Sequence, residues 1–143
     1  MKEVELFRIV HSDQSPECSM FLREMEGGRT FPIMIAVNEM AEIHRKVHGV
    51  ATKRPMTHDL LRSLYEALGL TLERVEITEL KDDVFYARMK FAGAGGAVDL
   101  DARPSDAVAV ATAAGARLFV HDDILDSIGV VEDEEGEEEE EAS

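Results

Sequence analysis

Apolar and polar residues alternate along this chain with two different periods, and the switches between them mark its elements. Residues 2–10 are rich in valine, leucine, phenylalanine and isoleucine and predict a strand, which the turn chemistry of His11-Ser12-Asp13-Gln14-Ser15-Pro16 ends. Residues 18–25 predict a second strand, and Glu26-Gly27-Gly28-Arg29 a hairpin turn into a third at 30–35. The clearest period-2 signal comes later. Val75 and Ile77 alternate with Glu76 and Thr78, Lys81-Asp82-Asp83 turns the chain, and Phe85, Ala87, Met89 and Phe91 alternate with Tyr86, Arg88 and Lys90. After the turn Gly93-Ala94-Gly95-Gly96, Val98 and Leu100 continue the alternation and send Asp99 and Asp101 to the opposite, polar face. That glycine run lacks the Gly-Lys-Ser/Thr ending of a phosphate-binding loop and reads as a hairpin.

The helical period appears three times. Asn38 is the expected N-cap of a helix over 38–48, with Met40, Ile43 and Val47 on its apolar face, Glu42, Arg45 and Lys46 on the other, and Gly49 as its stop. A second helix is expected over 57–68, with Leu60, Leu61, Leu64 and Leu68 as its buried stripe and Gly69 beyond it. The third, 105–114, is apolar nearly all round and should be buried. Leu118-Phe119-Val120 predicts a short strand, and His121-Asp122-Asp123 caps a last helical turn through Ile128. Strands and helices mix without strict alternation, so the fold class is α+β. We expect a single domain over 1–131, with a mixed, largely antiparallel twisted sheet packed with three main helices.

Length changes little in this picture: 143 residues fit one domain, which buries roughly two thirds of its unfolded surface. Charge changes more. The formal net charge is −15, but nine of the acids fall in 132–141, where there is no lysine or arginine. The rest carries 21 acids against 15 bases, or −6. The like-charge block over 132–143 is expected to be a disordered acidic tail. The mild acidity of the remainder argues against a broad basic face for nucleic acid, so any phosphate contact has to be local. Cys18 is the single cysteine, which excludes an intramolecular disulfide and a cysteine zinc site. Residues 1–5 show no signal-peptide core, and no apolar run approaches the roughly 20 residues that span a bilayer. The expected location is the cytoplasm, with no membrane partner.

The candidate chemistry lies in two near-repeats, Arg54-Pro55-Met56-Thr57-His58-Asp59 and Arg103-Pro104-Ser105-Asp106. Each places an arginine, a hydroxyl and a carboxylate before an apolar helical run, where backbone N–H groups and the positive end of the helix dipole also point outward. If the two helix starts converge, they form a site for a phosphate, a metal ion or both. Helix-start preferences alone explain much of the pattern, since proline suits the first position, hydroxyl residues cap, and aspartate complements the dipole. They do not explain why arginine precedes proline both times.

Four segments resemble the bifunctional nuclease domain family. Phe31-Pro32-Ile33-Met34-Ile35-Ala36 with Glu39-Met40 is similar to the family's Leu-Pro-Ile-Trp-Ile-Gly with Glu-Ala. Arg54-Pro55-Met56-Thr57-His58-Asp59-Leu60, Val75-Glu76-Ile77 with Phe85-Tyr86-Ala87, and Asp101-Ala102-Arg103-Pro104-Ser105-Asp106-Ala107 match its other three motifs in order. The chain departs from the pattern at Met34, Ala36 and Met40, and the missing tryptophan removes a group able to stack on a base. The resemblance implies an α+β fold and hydrolysis of phosphodiester bonds in both DNA and RNA.

That reaction needs charge neutralisation on the phosphate, a positioned water and, in the usual case, Mg²⁺ or Mn²⁺ held by carboxylates. Asp101, Asp106, His58 and Asp59 are the expected catalytic residues, with Asp101 and Asp106 also as metal ligands. Arg54, Arg103, Thr57 and Ser105 are the expected phosphate-binding residues. Glu39 sits near a helix start, where the dipole alone favours a carboxylate. His44 and His48 share a helix face but have no third ligand in view. DNA and RNA are the expected partners, together with a second copy of the chain in a homo-oligomer, most simply a dimer. The grounds for the oligomer are the apolar stretch 31–40 and strand-rich termini whose edges need covering. The alternative is a non-catalytic oligomeric or ligand-binding domain in which both Arg-Pro segments are structural, Asp101 pairing with Arg54 or Arg103.

Overall fold

The computed structural model describes residues 1–14 and 16–132. Its elements run β1 (Lys2–His11), β2 (Glu17–Glu24), β3 (Arg29–Ala36), α1 (Val37–His48), α2 (Thr57–Ala67), β4 (Thr71–Lys81), β5 (Val84–Gly93), β6 (Gly96–Ala102), α3 (Pro104–Ala114), β7 (Arg117–Val120), α4 (Asp122–Ile128) and β8 (Val130–Val131). The strands form one sheet in the order β6-β5-β4-β7-β1-β2-β3-β8. All neighbours are antiparallel except β4 and β7. This is the mixed, largely antiparallel α+β arrangement expected. Between Lys81 and Val84 the hairpin closes through Asp82 and Asp83 with φ of 53° and 63°, the left-handed pair a tight two-residue turn requires.

The sheet is strongly curled. Five strand spacings separate β3 from β5, about 24 Å in a flat sheet, yet the Phe31 and Phe85 rings lie 5.8 Å apart. The concave side is filled by α3, whose Ala107, Val108, Ala109, Val110 and Ala111 are all fully buried. Small side chains let this helix lie close to the strands, where leucines would hold it away. Val75, Ile77, Ala87, Met89 and Phe91 face it from β4 and β5, and Met20, Leu22, Phe31 and Ile43 extend the same core across the other half. No helix among the described residues is long and apolar enough to cross a membrane.

Several expectations need correction. Asn38 does not cap α1. The N-cap is Ala36, and the Glu39 carboxylate accepts its backbone N–H at 2.9 Å. Glu42, assigned to the polar outer face, is only 5% exposed. Of the expected α2 stripe, Leu61 packs against the core, but Leu60, Leu64 and Leu68 face solvent, and Tyr65 is buried in their place. An aromatic ring one position off the leucine spacing rotated the helix, packing against Phe91 with centroids 5.0 Å apart and planes inclined at 59°. The grounds given for an oligomer hold only in part, since Met34 is 59% exposed and β8 ends the sheet among the described residues. Phe31, Ile33 and Ile35 belong to the core, and β1 has partners on both edges. Glu132, the first residue of the expected tail, pairs with the nearly buried Arg8; the remainder of that expectation lies outside the described residues.

Candidate functional site at the meeting of three helices

The starts of α2 and α3 converge on one face of α1. Pro104 occupies the first turn of α3, with Arg103 as the N-cap. From that position Arg103 Nε donates to Asp106 Oδ2 at 2.9 Å and Nη2 to Asp106 Oδ1 at 3.2 Å. The first turn of α2 brings His58 Nε2 to 2.9 Å from the same Asp106 Oδ1. On its other side His58 Nδ1 lies 3.5 Å from Glu42 Oε1. The histidine therefore hydrogen-bonds one carboxylate and stands beside a second on another helix, whose Oε1 has no hydrogen-bond partner among the described residues.

Burial pushes the Asp106 carboxyl up, but the hydrogen bonds from Arg103 and His58 outweigh it and hold the group below the usual aspartate range. An ionised Asp106 only accepts hydrogen bonds, so His58 Nε2 carries the proton between them. With Nδ1 turned to Glu42, neither nitrogen of this imidazole offers a lone pair to solvent. Asp59 is held low by Lys46, whose ammonium pairs with Oδ1, and by the Met56 N–H donating to Oδ2 at 2.9 Å. Lys46 and Arg45 also flank Glu42, with Lys46 Nζ 3.5 Å from Oε1.

Glu39 ties this cluster to a cleft. One carboxylate oxygen accepts the Ala36 N–H; the other accepts from the buried Ser105 hydroxyl and lies 3.2 Å from Arg103 Nη1. Glu39, Arg103 and Ser105 form one wall of a cleft of about 610 Å³, a size suited to a small ligand or a nucleotide. Its remaining walls are largely apolar, built from Pro32, Ile33, Met34 and Ile35 of β3 and Leu80, Val84 and Phe85 of the β4–β5 hairpin. Arg103 is the most open of the cluster's charges, with a side chain 67% exposed. Three of its five N–H groups are engaged, which leaves two for another acceptor.

Five of the eight expected site residues are thus brought together: His58, Asp59, Arg103, Ser105 and Asp106. Thr57 is exposed at the first position of α2. Arg54 is exposed before it, and its side chain has no ion pair or hydrogen bond among the described residues. Asp101 does not join the cluster. It stands on β6, 71% exposed, 3.8 Å from Arg88 and paired with neither Arg54 nor Arg103. Alternation correctly placed its side chain on the polar face, but that face turns away from the helices. Among the described residues no group of three or more His, Cys, Asp or Glu side chains is placed to hold a metal ion.

Glu42 is the residue that sequence reasoning missed. The signal was present, because Glu39, Glu42, Ile43 and Lys46 fall at i, i+3, i+4 and i+7. That is the spacing of a core-facing stripe, occupied here by three charges and one isoleucine.

An α+β protein with a charged three-helix cluster on the wall of an apolar cleft is the class these features define. The bifunctional nuclease domain matches residues 20–133, and the chain belongs to that family. An uncharacterized protein of Mycobacterium tuberculosis is 37% identical over 139 residues, covering 97% of this chain and 83% of the relative. Bifunctional nuclease 1 of Oryza sativa subsp. japonica is 29% identical over 104 residues, 69% of this chain but 31% of the rice protein. A bifunctional nuclease of Oryza minuta aligns to the same extent.

Proposed function

We propose that this protein is a nuclease that hydrolyses phosphodiester bonds in DNA and RNA, with the Glu39–Arg103 wall of the cleft as its reacting face. The observation that carries the reading is the 3.2 Å approach of Glu39 and Arg103 at the cleft wall, with Arg103 backed by Asp106, His58 and Glu42. The two outward N–H groups of Arg103 grip the non-bridging oxygens of a phosphate bidentately. Glu39 orients and deprotonates the attacking water beside it. Asp106 and His58 are positioning residues: they hold the guanidinium in place so that little reorganisation accompanies the reaction. Arg54, exposed at the neighbouring helix start and without a side-chain partner among the described residues, takes a second phosphate of the strand. The segment 43–58 supports this path, since it holds Arg45, Lys46, Lys53 and Arg54 and no acid, in a chain with twice as many acids as bases.

The donors near Arg103 are committed to one another, and as arranged they do not fit a resident divalent ion, so no step is routed through one. Assistance by Mg²⁺ or Mn²⁺ remains our proposal from the chemistry of the reaction, and a chelator tests it. The decisive experiment incubates purified protein with single- and double-stranded DNA and RNA, with and without chelator, beside Glu39→Gln. Cleavage by the wild type and its loss in a folded Glu39→Gln variant support the reading; no cleavage of any substrate overturns it.

A second reading rests on the same ion pairs. Glu39 and Asp106 already neutralise Arg103, so the lattice is complete without a ligand and would serve a non-catalytic domain by locking three helices together. Arg103→Lys separates the two readings, because it keeps the charge and loses the fork. A structural role shows first in melting, a phosphate-binding role in cleavage.

A further inference from the structure

We propose that the protein is a two-fold dimer held together by the outer face of α2 and the uncovered inner face of β6. This inference is independent of the nuclease reading.

Met56, Leu60, Ser63, Leu64, Ala67 and Leu68 share one face at the α2 edge of the molecule, and every one is exposed. Leu60, Leu64 and Leu68 are 64%, 56% and 69% open to solvent. No residue of this face is charged; His58, Asp59, Arg62 and Glu66 lie on the other arcs of the helix. Beside it the inner face of the sheet ends uncovered. Val98 is the cross-strand partner of Phe91, and Leu100 of Met89, so they share a face with those buried residues. Yet they are themselves 41% and 45% exposed. The Tyr65–Phe91 ring contact brings α2 alongside these strands, and the proposal joins the two exposures in one interface. Its six large apolar side chains present on the order of 600 Å² of surface, most of the roughly 800 Å² per partner that a specific interface buries.

The occupant is a second copy of the chain. A charged partner finds nothing to pair with on this face, whereas two copies, each carrying −15, can approach closely only where neither presents charge. The face is also self-complementary. Leu60 and Leu68 stand four residues to either side of Leu64, so an antiparallel two-fold at Leu64 sets Leu60 of one copy on Leu68 of the other. Ser63 and Ala67 leave the groove that the opposing leucine ridge fills. Asp99 and Asp101 guard the open edge of β6 against strand pairing, so the contact runs through faces rather than edges.

Sedimentation equilibrium of the full chain at micromolar concentration tests this, beside Leu64→Glu and, as a control, Met25→Glu at an exposed methionine elsewhere. The wild type and Met25→Glu should be dimers, and Leu64→Glu should weaken association by at least about thirtyfold. Added salt should tighten the wild-type dimer, because it screens the repulsion between two acidic copies without touching an apolar contact. If Leu64→Glu fails to fold, Leu64→Cys decides: the introduced thiol, lying at the axis, should couple to its own copy through a short bis-maleimide, while the buried Cys18 does not react. A monomeric wild type, a dimer unmoved by Leu64→Glu, or no coupling at Leu64→Cys overturns the proposal.

Discussion

Pro104 stands in the first turn of α3 with Arg103 as its N-cap, whereas Pro55 lies two residues before the first turn of α2, outside the helix. That offset separates two segments of similar sequence. Arg103 is held by a carboxylate three residues along its own helix and by Glu39 of another. Arg54 reaches neither, because Asp59 is spent on Lys46 and on the Met56 amide. One arginine is fixed and the other has no side-chain partner among the described residues, and His58 links the two helix starts through Asp106. The comparison shows that where a helix begins, more than which residues precede it, decides whether an arginine is held by carboxylates or left exposed.

The largest effect is expected where the two starts are tied together. Glu42→Ala removes a nearly buried carboxylate from among His58, Lys46 and Arg45, and should cost about 3 kcal/mol, the low end for breaking a buried ion pair. Urea unfolding measures it; a loss near zero would mean that His58, Lys46 and Arg45 simply re-pair with Asp59 and Asp106. Next comes Arg103→Ala, which strips the exposed partner from Glu39 and Asp106. It should cost about 1–2 kcal/mol after discounting for solvent screening, and thermal melting reads it.

Acid should separate the two starts more finely. Asp106 and Asp59 both titrate below the usual aspartate range when folded. Below about pH 4 the unfolded chain therefore binds more protons than the native one. The stability these groups contribute is present above that pH and is lost as pH falls through their folded values. Melting curves between about pH 2 and 5 should steepen accordingly. Arg103→Ala should flatten the part due to Asp106 and leave that of Asp59. An unchanged profile would show that Arg103 does not hold Asp106 down.

The smallest effect on stability belongs to Arg54→Ala, within about 0.5 kcal/mol as for an exposed side chain. Its consequence should appear instead in nucleic-acid binding, as a weaker affinity and a salt dependence shallower by roughly one phosphate contact. Affinity indistinguishable from the wild type would remove Arg54 from the proposed path.

Much of the fold was legible in the residues. Period-2 alternation marked the β4–β5 hairpin, the Asp82-Asp83 turn and the start of β6, and the nearly uncharged run at 105–114 announced a buried helix. The family-like motifs also singled out His58, Arg103, Ser105 and Asp106, which do meet. Less legible were the burial of Glu42 and the exposure of Leu60, Leu64 and Leu68. Hydrophobicity alone assigns carboxylates outward and leucines inward, and here the pairing of three helix ends and the packing of one aromatic ring reversed both assignments.

What the amino-acid sequence determined by itself was local: which segments extend, which coil, where they turn, and which residue types stand at the two helix starts. These follow from backbone preferences and from periodicities that act over a few residues. The tertiary structure alone decided what those residues do. The curl of the sheet makes the cleft, the rotation of α2 about Tyr65 leaves a leucine face open, and the face of β6 turns Asp101 away from the site. Each depends on contacts between residues far apart in the chain, whose energies no local pattern encodes.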